Sequence, residues 1–128
     1  MPQSRPPTEA NAQAPPAALA RFIPPMLLLQ TPALPEGPSW QYELKLDGYR
    51  ALAFKLDGNV YLRSRNDKDF AHRYPAVVKA LAGLPNHTVV DGELVALDGE
   101  GRPSFNALQN QGSALVVYYV FDVLVLGG

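Results

Sequence analysis

The sequence has no cysteine, which excludes a disulfide framework and cysteine-ligated zinc and agrees with a reducing compartment. Histidine is scarce too. His72 and His87 show no ligand-like clustering, so no residue is assigned to a metal. Neither sign of charge dominates: 11 Lys and Arg against 12 Asp and Glu leave a net charge of −1. Bulk electrostatics therefore do not advertise a nucleic-acid binder, and any such surface must come from local placement. A long apolar run is also missing. The longest, Ala114 to Leu126, is too short for a bilayer and carries Asp122. No charged start followed by an apolar core marks a secretory signal. These absences point to a soluble, cytoplasmic chain with no membrane contact.

The 128 residues amount to about one small domain. Ten of the 13 prolines lie in the first 38 residues, so proline divides the chain. Residues 1–21, rich in Pro, Ala, Gln and Ser with no hydrophobic period, read as a disordered tail or linker. Residues 22–128 read as the folded part. Phe22 to Leu29 is apolar and broken by Pro24 and Pro25, which suits an extended segment lying across the domain. Trp40 to Leu46 alternates and predicts a strand. Arg50–Leu56 and Val60–Ser64 flank Asp57-Gly58-Asn59 and predict a hairpin. Pro75 suits the first turn of a helix bearing Val77, Val78 and Leu81, stopped by Gly83. His87–Leu97 predicts a strand interrupted at Asp91-Gly92, with a turn at Asp98–Gly101. Ser104 caps a short helix through Gln109, and Leu115–Leu126 predicts a buried strand. The class is α+β, dominated by antiparallel strands with two helices.

Chemistry concentrates in Lys45-Leu46-Asp47-Gly48-Tyr49-Arg50. A lysine beside another cation in a pocket can lose its proton and become a nucleophile. Gly48 lets the backbone turn or approach a ligand, and Arg50 offers a planar fork to phosphate. Spacing alone favours an ordinary Asp-Gly turn with solvated flanking charges. Asp47 and Asp91 then read as turn formers. Glu93 reads as a strand carboxylate and Phe121 as a core aromatic. Lys55, Arg63, Lys68 and Arg73 give the hairpin region a basic excess that suits either DNA or solvent.

The hexapeptide resembles the nucleophile motif of covalent nucleotidyltransferases, Lys-x-Asp-Gly-x-Arg. Phe22-Ile23-Pro24-Pro25-Met26-Leu27 and Trp40 to Ala51 resemble bacterial ATP-dependent DNA ligases of the end-joining type. Ser64-Arg65-Asn66-Asp67 is similar to that family's second motif, where glycine usually stands at the place of Asp67. Val90-Asp91-Gly92-Glu93-Leu94-Val95 resembles the third, and Phe105–Gln109 and Tyr118–Leu124 continue the match.

The resemblance implies an antiparallel-sheet-rich nucleotidyltransferase fold, represented by its first half. It implies that Lys45 attacks the α-phosphate of ATP, holds AMP as a phosphoramidate and passes it to a DNA 5′-phosphate before a nick is sealed. Glu43, with Leu44 beside it, would read adenine. Arg50 and Arg65 would hold ribose or phosphate and later the DNA 5′-phosphate. Glu93 would accept from the ribose, and Phe121 would stack on the base. Mg2+ or Mn2+ would accompany ATP. The partners implied are nicked or broken duplex DNA and end-joining proteins, with a monomeric enzyme that joins the nucleoid when bound to DNA. The family's later glutamate, paired lysines and DNA-closing barrel find no match, so this chain alone is expected to be inactive in sealing. Other readings are an RNA ligase or capping enzyme, or a non-catalytic ligase remnant.

Overall fold

A computed structural model describes residues 18–110 and 114–128. Most of the expected tail, residues 1–17, lies outside the described residues. Six elements follow one another: β1 (Tyr49–Leu56), β2 (Asn59–Ser64), α1 (Pro75–Leu81), β3 (Thr88–Leu97), α2 (Phe105–Asn110) and β4 (Leu115–Val125). The strands form one antiparallel sheet in the order β2-β1-β3-β4.

The expected hairpin forms. Asp57 and Gly58 link Leu56 to Asn59 with φ of 50° and 80°. Paired positive φ values match the twist of the flanking strands, and Asp-Gly is a sequence that tolerates them. Strand periodicity then sorts β1 onto two faces. Ala51 and Ala53 join Leu62, Val90, Leu94 and Ala96 beneath the helices, where Tyr74, Val77 and Leu108 close the core. Leu52 and Phe54 face the other way, with Val89, and are covered by Ala20, Phe22 and Ile23. Burial on both sides explains why β1 and β3 read as nearly continuous apolar runs. The first residues of the apolar lead-in thus dock as expected, whereas Met26 to Leu29 stay exposed.

Both short helices form. Pro75 opens α1, and the Ser104 hydroxyl accepts from the amide of Ala107 at the start of α2 (3.2 Å). The Lys55 ammonium donates to the carbonyls of Ala82 (2.7 Å) and Leu84 (2.9 Å), binding the chain just past α1 to the hairpin. A cation suits the unpaired carbonyls there.

Three expectations change. Trp40–Leu46 is not a strand: its residues form no ladder, and Trp40, Tyr42 and Leu44 are exposed. Alternation prepares a segment for a sheet, but a strand exists only where a neighbour takes its backbone hydrogen bonds. Asp91-Gly92 does not interrupt β3, which runs through both residues. Gly92 is needed there because β4 crosses so closely that a Cβ would meet the Tyr119 carbonyl and the Tyr118 ring. Finally, β4 is largely exposed instead of buried. It is the edge of the described sheet, and its high β-propensity reports pairing with β3 on one side alone.

Candidate active site

The sequence from Lys45 to Arg50 enters β1 at its N-terminal end, so the sheet fixes one end of the motif. Gly48 lies against β3 so tightly that a Cβ would overlap the carbonyl of Leu94. The backbone approach that glycine permits therefore holds the lysine loop against the sheet. The same tetrapeptide, Lys-Leu-Asp-Gly, recurs at Lys55–Gly58. There it forms the hairpin turn, with its lysine engaged at the end of α1. Only the first copy leads its lysine toward a cluster of charged groups.

That cluster follows from strand register. Arg50 on β1 pairs with Glu93 on β3, and Leu52 with Asp91. Two-residue periodicity puts Arg50, Asp91 and Glu93 on one face, the face opposite the helices. The Arg50 guanidinium donates from Nε to Asp91 Oδ1 (2.7 Å) and from Nη2 to Asp91 Oδ2 (2.6 Å). Nη2 also donates to the Met26 carbonyl (3.2 Å), and the guanidinium carbon lies 4.8 Å from the centroid of the Phe121 ring. The hydrogen bond to Asp91 holds Arg50 still more firmly protonated. Burial pushes the Glu93 carboxyl above its ordinary range, while the positive charges of Arg50 and Lys45 oppose the shift. Asp91 and Asp47 add to it. Lys45, exposed to solvent, thus shares one electrostatic neighbourhood with Glu93, Arg50 and two acidic side chains.

Several readings made from sequence change with the structure. Asp91 is no turn former: it is a buried carboxylate, 4% exposed, inside a strand. Its spacing was the available signal, since residues 91 and 93 of one strand share a face. Arg50 is not a free fork, because its Nε and Nη2 edge is already taken by Asp91. Three of the four cations of the hairpin region have partners within the protein, and Lys68 stays exposed. Lys55 binds helix-end carbonyls, Arg63 pairs with Asp67 (2.9 Å), and Arg73 lies between the rings of Tyr49 and Tyr74. Phe121 is half-exposed, not a core aromatic.

The remaining expected residues are exposed. Glu43 and Leu44 precede Lys45 on the unpaired segment. Arg65 stands on the turn after β2, with no described contact to the cluster. That turn is built by Ser64, whose hydroxyl accepts from the amides of Asn66 (3.3 Å) and Lys68 (3.1 Å). Asp67 there has φ of 59°, the left-handed conformation that a glycine would adopt freely. Aspartate is among the few side chains that tolerate it, and Arg63 steadies it. Asp67→Ala is expected to lower stability by about 1 kcal/mol. Asp67→Gly should stay within about 0.5 kcal/mol of the parent, which chemical denaturation of the three chains would check. Among the described residues no group of three or more His, Asp or Glu could hold a metal ion, and no helix is long and apolar enough to cross a membrane.

The sheet thus gathers a carboxylate, an arginine and a half-exposed aromatic ring on one face, with a lysine in their electrostatic neighbourhood. Residues 25–128 match the ATP-dependent DNA ligase domain, and the chain belongs to that family. It is 46% identical over 110 residues to the multifunctional non-homologous end joining protein LigD of Pseudomonas aeruginosa, covering 82% of this chain and 13% of that protein. The prophage-derived DNA ligase-like protein LigB of Bacillus subtilis is 30% identical, over 84% of this chain and 41% of the relative. The ligase domain of Mycobacterium tuberculosis LigD superposes with a TM-score of 0.59 at 44% identity, covering 67% of this chain and 29% of that domain. A mycobacterial DNA ligase D complexed with ATP and MES gives 0.57 at 43% identity, over the same shares. The chain therefore spans less than a third of the ligase domains it resembles. The antiparallel sheet with two short helices is the fold that these neighbours share with it.

Proposed function

We propose that this chain carries the adenylation chemistry of an ATP-dependent DNA ligase, with Lys45 as the nucleophile. The observation that supports this best is the gathering of Arg50, Glu93 and Phe121 at one face of the sheet, with Lys45 in their electrostatic neighbourhood, within the segment that matches the ligase family. Lys45 Nζ, as the free amine, attacks the α-phosphate of ATP. A P–N bond forms, the bond to the bridging oxygen breaks, and pyrophosphate leaves with the electron pair. The lysine proton goes to solvent. The phosphoramidate keeps the adenylyl group reactive for transfer to a DNA 5′-phosphate, after which a 3′-hydroxyl displaces AMP.

Each neighbour has a task suited to its chemistry. Glu93, ionised, accepts from a ribose hydroxyl. Phe121 offers a flat face to adenine. Arg50 keeps only Nη1 for the nucleotide, because Asp91 and Met26 occupy its other donors, so it contacts ribose or phosphate through one nitrogen. Glu43 and Leu44 border the base, and Arg65 serves the phosphate of the DNA end. Magnesium, or manganese in its place, would come with ATP and would supply charge neutralisation for the leaving pyrophosphate. The substrates are nicked or broken duplex DNA, in end joining beside other repair proteins. The setting is the bacterial cytoplasm, at the nucleoid when on DNA.

The test is covalent labelling with ATP carrying radioactive α-phosphate and magnesium, followed by denaturing electrophoresis. The expected product is a labelled chain whose bond resists base and breaks in acid, as a phosphoramidate does. An unlabelled chain, or an acid-stable bond, overturns the reading.

Glu93 provides a second check. Its raised carboxyl pKa means that the folded chain binds that proton more tightly than the unfolded chain. Ionised Glu93 therefore costs stability at neutral pH, and the cost disappears as pH falls through the folded-state value. Glu93→Gln should raise Tm slightly at pH 7, with the gain shrinking toward pH 4, while ATP binding weakens. Thermal scans across this range, paired with ATP titrations, measure both effects.

A further inference from the structure

Asp91 is a fully engaged carboxylate that the adenylation chemistry leaves without a task. It is 4% exposed, and both its oxygens accept from one edge of Arg50. With the third bond to Met26, the guanidinium plane is pinned at three points. Beside it lies Phe121, at 4.8 Å from the guanidinium carbon. The backbone of Phe121 is unusual. Asp91 pairs with Asp122 and Gly92 with Val120, so Phe121 is the extra residue of a bulge in β4 and has no partner on β3. Bulges re-aim a side chain at the cost of its ladder support. The ring is also about half exposed, so packing alone holds it poorly.

We infer that Asp91 is a positioning residue for base stacking: it locks Arg50, and Arg50 locks the plane of the Phe121 ring so that its outer face receives a flat heteroaromatic base. This rests on the nucleotide-binding reading above. The guanidinium supplies the inner layer of the stack through cation–π attraction. Asp91 must be a carboxylate to do this. An asparagine there would offer one oxygen to Nε or Nη2 and turn an N–H₂ group against the other donor, so the parallel fork would be lost.

Two readouts test the inference on the 128-residue chain. Without ligand, proton NMR should show contact between Arg50 Nε–H and the Phe121 ring, and Asp91→Asn should abolish it. Persistence of that contact in Asp91→Asn overturns the inference. With ligand, adenosine and ATP are titrated separately. Asp91→Asn should weaken adenosine about tenfold, the scale of one stacking or cation–π contact, and should add nothing in a Phe121→Leu background. Loss confined to ATP, or independent effects in the double variant, overturns it. Arg50→Lys keeps a cation beside Asp91 but removes the fork, the plane and the Nη1 donor, so it should weaken adenosine at least as much as Asp91→Asn. Unchanged adenosine affinity in Arg50→Lys overturns the inference even if Asp91→Asn folds poorly. An unmutated chain that binds neither adenosine nor ATP refutes the nucleotide reading, and the ligand-free contact then still decides whether Asp91 positions the ring.

Discussion

Lys45→Ala is expected to abolish covalent AMP labelling. The chain has four lysines, and they differ in surroundings instead of type. Lys55 is held by the carbonyls of Ala82 and Leu84, whereas Lys68 and Lys79 are exposed on a turn and a helix. Lys45 alone acts on Glu93 beside Arg50. Because Lys45 is itself exposed, its truncation should change stability by no more than about 0.5 kcal/mol. Lys45→Arg separates charge from nucleophilicity. A guanidinium keeps the positive charge but stays protonated, so it should bind ATP and remain unlabelled. Lys55→Ala gives the opposite pattern. It should keep full labelling while losing about 1.5–3 kcal/mol of stability, the scale of hydrogen bonds to a charged group. Labelling of Lys45→Ala, or its loss in a folded Lys55→Ala, would assign the chemistry to a different lysine.

Gly48→Ala should reduce labelling about a hundredfold without touching a reacting group. The new methyl would overlap the Leu94 carbonyl, and that carbonyl belongs to a central strand buried on both faces. A flexible side chain could yield; this backbone cannot, so the lysine loop must lift away. Misplacement of a nucleophile by about 1 Å costs roughly that factor. Stability should fall by about 1–3 kcal/mol, as for other insertions into packed regions. Gly58→Ala makes the contrast. A Cβ at Gly58 meets nothing within 4 Å, although φ of 80° strains it, so the variant should lose stability but not labelling rate. Single-turnover labelling of both variants below their melting temperatures distinguishes the two. Equal rates for Gly48→Ala and the parent would show that the close approach is irrelevant to the chemistry.

Much of this protein follows from local sequence. Asp57-Gly58 fixes a hairpin because few residue pairs accept two positive φ values, and the apolar run before it fixes a buried strand, whereas β2 after it buries Leu62 alone. Pro75 and Ser104 mark helix starts through effects confined to one turn. The site residues Lys45, Arg50, Glu93 and Phe121 were legible as motif members, since their spacing survives without knowledge of the fold. Asp67 was legible as an exception, and its backbone explains it: the position has a left-handed backbone, and aspartate is among the few side chains that tolerate it.

What pairing decides could not be read locally. Trp40–Leu46 and Leu115–Leu126 have equally good strand patterns, yet only the second meets a neighbour, because hydrogen-bond partners come from distant chain. Two copies of Lys-Leu-Asp-Gly are identical in sequence and opposite in use. One turns a hairpin with its lysine tied to the end of α1; the other presses its glycine against Leu94 and leaves its lysine free beside Glu93. Asp91 likewise changes meaning only through register, which sets it across from Leu52 and within reach of Arg50. Sequence determined which family the chain belongs to, because the motifs that mark it depend on residue types at short spacing. Tertiary structure decided which lysine stands beside Glu93 and which carboxylate holds Arg50, because those depend on contacts between distant residues, as between Arg50 and Asp91 (41 positions).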